Sequence, residues 1–365
     1  MSTVSAALTL LSQLQSQGDE LTQPGVFRGQ RFNPYWGKYH REENNIFFAL
    51  TVLHILKRVE PFVGAAEVQV IKGIDAKVKA LLPYYVNPFD GLSYNYWPRF
   101  PAGHFPNGFL YHRSARFKAP DDIDDTGYAY AIWGPSIADF EALTKKVIPY
   151  CQGVTRRNHK IPKHLAALPA YNTWMGHHMA VDVDVCVLAN YLPPMLAAKR
   201  DLNQYDEASL NFLQEVVQDK WYLKIPHLVC GYYLKVPVMA YHLARHLDLL
   251  PDPWRSAIKA ALIRDWEAIV LTQEEPMHGL VLDSAARYLG LGPVQTVPMT
   301  LENVRQPYTC YYMGMITPLD FPVINQIADG GLFQVRKTCE AFNVALWIEN
   351  QVLRAGHKPG QLWWS

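Results

Sequence analysis

Residues 44–59 read NNIFFALTVLHILKRV, and this stretch sets the pattern on which the fold class depends. Apolar residues recur at helical spacing from Ile46 to Leu53. The stretch ends in Lys57 and Arg58, and basic residues suit the negative end of a helix dipole. The sequence therefore predicts an α-helix here.

Signals of the same kind recur along most of the chain. VDVDVCVLANYL has β-branched residues typical of a strand, but its length favours a buried helix. The other predicted helices are TVSAALTLLSQLQSQ, DDTGYAYAIWGPS, VPVMAYHLARHL, WRSAIKAALIRDWEAIV, LVLDSAARYLGL and VRKTCEAFNVALWIENQVL.

No linker, charge run or close internal repeat divides the sequence, so residues 1–365 are predicted to form one domain. Many medium helices joined by alternately short and long loops favour an all-α fold of the α/α barrel (toroid) type. In such a barrel an inner ring of helices surrounds a funnel, and helix N-termini and long loops meet at one end. An irregular all-α bundle is the alternative.

Composition narrows the function classes. The net charge of +1 gives no electrostatic reason to expect a nucleic-acid partner. Five widely separated cysteines, without a C-x-x-C or a signal peptide, indicate reduced thiols and a cytoplasmic protein. No apolar run approaches the roughly 20 residues that span a bilayer. The N-terminal helix lacks a basic face, which favours docking on the fold over lying on a membrane.

A second stretch, PDDIDDTGYAYAIW at 120–133, places four carboxylates within five positions. One aspartate behind a proline is explained as a helix cap, but four anions in one turn repel each other. Asp121, Asp122 and Asp125 fit D-D-x-x-D, a magnesium-binding pattern. Asp122, Asp124 and Asp125 fit D-x-D-D, a proton-donor pattern.

The metal interpretation needs a second set of ligands, and the sequence offers no clear one. Asp182 and Asp184 stand at i,i+2 and do not face one way on a helix. The proton-donor interpretation needs only the carboxylates of the acidic turn itself. A close second carboxylate and burial keep a proton on the cluster. Asp124 is the predicted donor, Asp122 and Asp125 are its partners, and no metal site is expected.

PDDIDDTGYA also resembles the D-x-D-D-T turn of class II terpene cyclases, whose fold is an α/α barrel. The chain is too short for the two-barrel squalene–hopene enzymes and lacks their repeated Gln-Trp signature. It is closer to single-domain cyclases of the merosterolic acid synthase type, which cyclise a polyprenyl tail carried by an aromatic acid. The blocks YNYWPRFPAGHFPNG, YNTWMG and YYLKVPVMAYHLAR support the likeness.

The resemblance implies that Asp124 is the general acid and that no metal or organic cofactor is needed. It implies a small lipophilic prenylated substrate as the partner, which is compatible with peripheral membrane contact. Aromatic faces would stabilise the carbocations. The clustered aromatic residues fit two interpretations equally well: they line the substrate cavity, or they are part of the ordinary hydrophobic core. The candidates for the wall, all predicted to lie in loops near helix starts, are Tyr96, Trp97, Trp174, Tyr311 and Tyr312.

Two other functions stay open at this point. A carbohydrate-active toroid enzyme would pair Asp124 with Glu274, Glu275 or Asp283 across a cleft. A non-catalytic isoprenoid carrier would use the same apolar funnel with a structural acidic turn. A closed apolar pocket at Asp124 favours cyclisation, and an open polar groove favours sugar chemistry.

Overall fold

The structure is a computed structural model, and the residues it describes are mostly helical. These residues are 3–35, 37, 39–100, 103–105, 111–113, 118–134, 136–177, 179–197, 201–294, 298–308, 311–314 and 334–358. The longer helices are α1 (Thr3–Leu14), α2 (Phe47–Val59), α3 (Ala65–Lys79), α5 (Ile123–Trp133), α6 (Ile137–Val147), α8 (Val185–Ala197), α9 (Gln204–Gln218), α12 (Val236–His246), α13 (Trp254–Arg264), α15 (Pro276–Leu289) and α16 (Glu340–Arg354). The short ones are α4 (Leu82–Tyr85), α7 (Lys163–Ala167), α10 (Trp221–Lys224), α11 (Pro226–Val229) and α14 (Trp266–Val270).

Four short strands form one antiparallel sheet in the order β2-β1-β4-β3. The sheet joins an N-terminal hairpin to a late strand, because Arg31 of β1 lies opposite Lys337 of β4. Both side chains are buried and bind the buried carboxylate of Glu43 at 2.8 and 3.1 Å. The strands are β1 (Gly29–Phe32), β2 (His40–Glu43), β3 (Tyr311–Gly314) and β4 (Gln334–Thr338).

Six helices of the described part pack in a closed circuit. In order around it, α2 packs on α5, α5 on α8, α8 on α12, α12 on α15, α15 on α16, and α16 returns to α2. Every residue of α12 is buried. By contrast, α3 buries only Ile71, Ile74 and Val78, as expected of a helix with one face in water. The circuit is thus the interior of the fold.

Side-chain contacts show that α2, α12 and α15 run in similar directions. Phe47, the first residue of α2, packs on Tyr233, which lies three residues before the start of α12, with ring centroids 6.1 Å apart. At the other end, Arg58 near the end of α2 donates to the carbonyl of Arg245 and to the hydroxyl of Tyr288 near the ends of α12 and α15. The N-terminal halves of these helices therefore share one end of the interior.

Most sequence-predicted helices are confirmed. The stretch 44–59 forms α2, and VDVDVCVLANYL contributes α8 rather than a strand. The acidic stretch forms α5, which ends at Gly134 in a left-handed conformation with φ 59°. Among the described residues, no helix is both long and apolar enough to cross a bilayer.

Three local predictions were wrong. Residues 335–338 form β4 rather than the start of a helix, because their backbone pairs with β1 and β3 and Val335 and Lys337 are buried. The predicted helix 254–270 breaks at Asp265, whose carboxylate binds Lys220 and Arg264. The segment with Tyr311 and Tyr312 is strand β3 rather than a loop, and these two side chains lie outside the described part of the chain.

Candidate functional site

The acidic turn is buried at the start of α5, between two other segments of chain. The backbone N–H of Asp122 donates to the carbonyl of Tyr94 at 3.2 Å, and the N–H of Met175 donates to the carbonyl of Asp121 at 2.8 Å. The four aspartates are 0–6% exposed. Their charges must therefore be neutralised within the protein or suppressed by bound protons.

Asp121 has a separate role from the other three carboxylates. Its side chain pairs with Arg99 and accepts hydrogen bonds from Ser93 and from Asn87, the latter at 2.7 Å. The ammonium group of Lys146 lies 3.6 Å away. Asp121 is thus a compensated anion that ties neighbouring loops to the start of α5. The D-D-x-x-D set is divided, since its first member is already bound by cations of the protein.

Asp124 is held by two hydrogen-bond donors from outside its own helix. The side-chain amide of Asn190 donates to Oδ1 at 2.8 Å, and the hydroxyl of Tyr233 donates to Oδ2 at 2.6 Å. Burial raises the pKa of Asp124 to about 6, although these two bonds and the charge of Arg245 oppose the shift. Such a group is partly protonated near neutral pH and leaves a stabilised carboxylate, which is what a general acid needs.

Asp122 and Asp125 form a coupled pair beside this acid. Asp122 caps α5, because its Oδ1 accepts the backbone N–H of Asp125 at 2.7 Å. Its Oδ2 and both carboxyl oxygens of Asp125 have no hydrogen-bond partner among the described residues. Burial, the largest cause, and repulsion by neighbouring carboxylates raise the pKa of both groups. This setting favours a single proton held between the two carboxyls.

A glycine in α5 allows Asn190 to reach Asp124. A Cβ atom on Gly127 would lie 2.9 Å from the Cα of Tyr191 in α8, closer than real Cβ contacts. The absence of a side chain therefore lets α5 and α8 approach at this level. Gly127 is one helical turn after Asp124, and Tyr191 follows Asn190 directly. The close approach and the 2.8 Å hydrogen bond belong to the same contact.

A buried polar network lies behind the acid, toward the far end of the circuit. Arg245 donates to the hydroxyl of Tyr128 at 2.6 Å and to Oδ1 of Asn190 at 2.9 Å. Glu349 accepts from Tyr288 at 2.8 Å and from Tyr241. We call this group the interior network; its members are Arg58, Tyr128, Tyr241, Arg245, Tyr288, Glu349 and the histidines His54, His242 and His246.

The interior network carries a net positive charge. Burial, followed by the charge of Arg245, holds the pKa of all three histidines well below the usual range, so they are neutral. Two arginines then face one carboxylate, that of Glu349. The excess positive charge favours the ionised form of Asp124.

The aromatic residues predicted to form the substrate wall differ from one another in their surroundings. The ring of Tyr96 lies 6.4 Å from that of Phe47, which also contacts Tyr128 and Tyr233. Trp97 packs on Tyr96 and donates its indole N–H to Glu43 at 3.0 Å. These contacts join Tyr96 to the aromatic side chains around Asp124 and extend through Trp97 to the Arg31–Glu43–Lys337 ion cluster.

Trp174 lies on another side of the acidic turn. Its backbone pairs with that of Asp122 as an isolated β-bridge. Its indole N–H donates to the hydroxyl of Tyr232 at 2.6 Å, and the two rings meet edge to face at 5.6 Å. Trp174 therefore buttresses the segment that carries Tyr233.

A small apolar cleft opens between α12, α15 and α16 and reaches His242. The space open to the centre of a water-sized molecule is about 20 Å³, enough for about one water. The ring of His242 packs at a tilt against the ring of Tyr233, with centroids 4.6 Å apart, so the cleft adjoins the surroundings of Asp124. Most of its lining is apolar: Val238, Met277, Val281, Phe342 and Leu346.

The three carboxylates that could partner Asp124 in a carbohydrate-active enzyme lie in different environments. Asp283 is bound by Arg287, Arg354 and Asn350, and its pKa is lowered by these contacts although burial opposes the shift. Glu274 is exposed and pairs with Lys235. Only Glu275 of the three lines the cleft that His242 reaches.

One cluster of potential metal ligands lies outside the acidic turn in the part of the chain described. Ligand atoms of Asp184, Cys186 and Cys230 lie within 4.8 Å of one another. The Asp184 carboxylate already accepts backbone N–H groups of Cys186, Val187 and Tyr232. Burial raises the pKa of both thiols, that of Cys186 to about 11, so both are protonated at neutral pH without a metal.

Sequence patterns alone did not identify three residues of the site: Asn190, Tyr233 and Arg245. A signal was present, because a polar residue inside a helix that is apolar on all sides must face a polar interior. Asn190 in CVLANYL is such a residue, and Arg245 joins His242 and His246 at helical spacing in AYHLARH.

No protein-family model, no curated protein and no solved structure matches this chain. What the site can do follows from its own geometry. A buried acid with a pKa near neutrality, aromatic rings and an apolar cleft occur together at one end of the helical circuit.

Proposed function

We propose that this chain is a class II terpene cyclase, which starts cyclisation by protonating an alkene. Its substrate would be a small aromatic molecule with a polyprenyl chain. One observation carries the proposal: Asp124 is a buried carboxyl group with a pKa of about 6 that accepts hydrogen bonds from Asn190 and Tyr233. A surface carboxylate would be ionised at neutral pH and could not donate a proton.

The initiating step uses the Asp124 carboxyl group. Its O–H bond breaks, the terminal alkene supplies the electrons for a new C–H bond, and a tertiary carbocation remains on the substrate. Asn190 and Tyr233 stabilise the carboxylate directly, and Arg245 stabilises it through its charge. Asp122 and Asp125 assist by disfavouring a further negative charge beside them.

The growing cation would be stabilised by aromatic faces. The rings of Phe47, Tyr96, Tyr128 and Tyr233 contact one another beside the acid. In this proposal the substrate wall also includes Trp97, Trp174, Tyr311 and Tyr312. Protonation supplies the initiating charge, so no metal ion or organic cofactor takes part.

The closed circuit of α2, α5, α8, α12, α15 and α16 supports an α/α barrel as the architecture. Helices such as α3 would then form its outer layer. In this barrel Asp124 lies at the start of an inner helix, at the end where the cleft opens. The substrate's prenyl tail partitions into membranes, so we propose a cytoplasmic enzyme that collects it by peripheral contact.

The cleft is smaller than a prenyl chain, so substrate entry requires side-chain movement. Met277, Phe342 and Leu346 line it and have rotatable bonds that can open it. Met is well suited to such repacking. Met277→Ala should therefore increase the rate with longer prenyl chains relative to shorter ones.

The direct test incubates the purified protein with farnesylated and geranylgeranylated hydroxybenzoates, with and without EDTA. We expect a cyclised product of unchanged mass whose formation does not respond to EDTA, and none from Asp124→Asn. Inhibition by EDTA with rescue by Mg²⁺ would favour the metal-binding D-D-x-x-D interpretation over protonation by Asp124. Tight binding without conversion by the folded protein would indicate a carrier instead.

A further inference from the structure

The polarity of the hydrogen bonds behind Asp124 is fixed by Arg245. A guanidinium group donates and cannot accept. Its Nη2 lies 2.9 Å from Oδ1 of Asn190, so the oxygen of this amide must face Arg245. The NH₂ group of Asn190 then faces Asp124, where it lies 2.8 Å from Oδ1.

The same oxygen of Asn190 determines the tautomer of His242. Nδ1 of His242 lies 2.9 Å from Oδ1 of Asn190, and a carbonyl oxygen has no hydrogen to donate. The imidazole must therefore donate from Nδ1. Nη2 of Arg245 is also 3.3 Å from Nδ1, but its two hydrogens are directed at Asn190 and Tyr128, which are closer. A neutral His242 thus has its proton on Nδ1 and a lone pair on Nε2.

This lone pair is available to a molecule in the cleft. Nε2 of His242 has no hydrogen-bond partner among the described residues, and the side chain lines the apolar cleft. His278 lines the same cleft with the opposite polarity, since its Nδ1 accepts the backbone N–H of Glu274 at 3.1 Å. Its proton is therefore on Nε2. Of these two imidazoles, only His242 has an Nε2 that can accept a proton.

We propose that Nε2 of His242 is the base that ends the reaction, an inference that rests on the proposed cyclase function. A C–H bond next to the final carbocation breaks, and its electrons form a C=C bond. The proton moves to Nε2 and gives an imidazolium. Asp124 has added one proton and His242 removes one, so the product is an isomer of the substrate. After product release, His242 loses its proton to solvent and Asp124 takes one up from solvent.

A weakly basic imidazole is sufficient for this step. A carbocation is a far stronger acid than any protein side chain, so proton transfer to a neutral nitrogen is downhill. The charge of Arg245 makes the imidazolium short-lived and restores the neutral base. Asn190 binds Nδ1 of His242 and Oδ1 of Asp124, so one amide group lies between the acid and the imidazole ring, and Nε2 points away from that amide. The base therefore lies beyond the acid, where it can meet a cation that has moved along the substrate as rings form.

The activity test compares two substitutions of His242. His242→Asn retains an N–H donor close to the position of Nδ1 but has no group in place of Nε2. We expect the share of deprotonated alkene among the products to fall at least roughly tenfold relative to wild type. The cation would instead capture water and give an alcohol. His242→Phe removes the donor to Asn190 as well, so it should also slow consumption. His164→Asn on the exposed helix α7 is the matched control.

The tautomer is tested without substrate, by nitrogen NMR of the full-length protein labelled with ¹⁵N at histidine. We expect His242, assigned by its loss in His242→Asn, to show a protonated Nδ1 and an unprotonated Nε2. A protonated Nε2 would overturn the inference. So would an unchanged alkene product from His242→Asn, although cyclase activity itself would then stand. A wild-type protein that consumes no prenylated substrate would overturn the proposed function, and the role of the base with it.

Discussion

Asn190 on α8 donates to Asp124 on α5 across the closest approach of the two helices, at 2.8 Å. The bond is directional because Arg245 holds the oxygen end of the same amide. Asp124 is thus connected to the interior of the protein by a group that cannot rotate without losing a charged partner. In the proposed mechanism this fixed donor would stabilise the carboxylate that forms when Asp124 gives up its proton, without the reorganisation that solvent water would need.

Replacement of Asp124 by Asn should abolish turnover with little effect on the fold. The amide has no transferable proton, and general acid catalysis is worth roughly 10²–10⁴-fold or more. Its oxygen can accept from Asn190 and its NH₂ can donate to the hydroxyl of Tyr233, so we expect a stability loss of about 1 kcal/mol or less at acidic pH. Above about pH 6 we expect the variant to be more stable than wild type, because it avoids burying the charge of Asp124. Product formation and thermal unfolding of the purified variant give the two readouts.

Asp121→Asn is the contrasting variant. It retains the donor but weakens the pairing with Arg99 and Lys146. We expect substantial activity with a stability loss of about 1–3 kcal/mol, because one partner of a mostly buried ion pair is removed. Full activity of Asp124→Asn would exclude the proposed mechanism. Equal activity losses in both variants, with lowered melting temperatures, would identify a purely structural turn.

Asp124 should make the protein less stable as the pH rises from about 4 to about 6. Its pKa is about 6 in the folded protein, above the ordinary 3.8, so the folded state binds more protons than the unfolded chain in this window. The free energy of unfolding therefore falls with rising pH, by about 3 kcal/mol for this group. Asp184, with a pKa of about 7, acts in the same direction up to a higher pH.

Denaturant unfolding between pH 4 and 8 measures this dependence in wild type and in Asp124→Asn. The variant should lose the part of the slope below about pH 6, and identical slopes would refute the assignment. Turnover should also decrease with rising pH, since only protonated Asp124 can donate a proton. The rate should decrease above about pH 6 as one proton is lost.

Gly127→Ala should destabilise the protein although it improves helix propensity. Gly to Ala inside a helix ordinarily stabilises by about 0.5–1 kcal/mol. Here the new Cβ would meet backbone of α8 at 2.9 Å and push Asn190 away from Asp124. We expect a loss of about 1–3 kcal/mol and a clear decrease in turnover.

Gly73→Ala in α3 is the matched control, because a Cβ at that position meets nothing within 4 Å. It should be neutral or more stable than wild type, with unchanged turnover. A stabilising effect of both substitutions in denaturant unfolding would show that α5 and α8 can separate freely.

Asp125→Asn should stabilise the folded state at neutral pH. Both oxygens of the Asp125 carboxyl lack hydrogen-bond partners among the described residues, and the neighbouring Asp122 repels its charge. An amide can donate permanently to Asp122 and needs no shared proton. We expect a gain of about 1–2 kcal/mol at pH 7.5 and a smaller one at pH 5, where the carboxyl pair is more fully protonated.

Denaturant unfolding at these two pH values checks this expectation. Asp122→Asn is its counterpart, since Asn also caps helices well and would donate in the opposite direction. A loss of stability at both pH values in Asp125→Asn would mean that the charge of Asp125 is required, for example by Lys337.

Periodic and compositional signals were sufficient to predict the helices of the interior and the burial of the acidic turn. Asp124 stood out because four carboxylates in one turn have no ordinary explanation. Its two hydrogen-bond donors were beyond such reasoning, because Asn190 and Tyr233 lie 66 and 109 residues further along the chain. Strand β4 was missed for the same reason, since its pairing with β1 is a property of distant residues.

The packing of α16 on α2 also affects how the chain folds during its synthesis. Arg58 contacts Tyr288, which lies 230 residues later, and α2 packs on a helix that begins at Glu340. At roughly 5–20 residues per second, a ribosome needs about ten to fifty seconds to supply such a distant partner. During that time α2, whose surface is apolar nearly all round, must be shielded from other nascent chains. Synthesis of this protein is therefore expected to depend on chaperones that hold its first third until the last inner helix emerges.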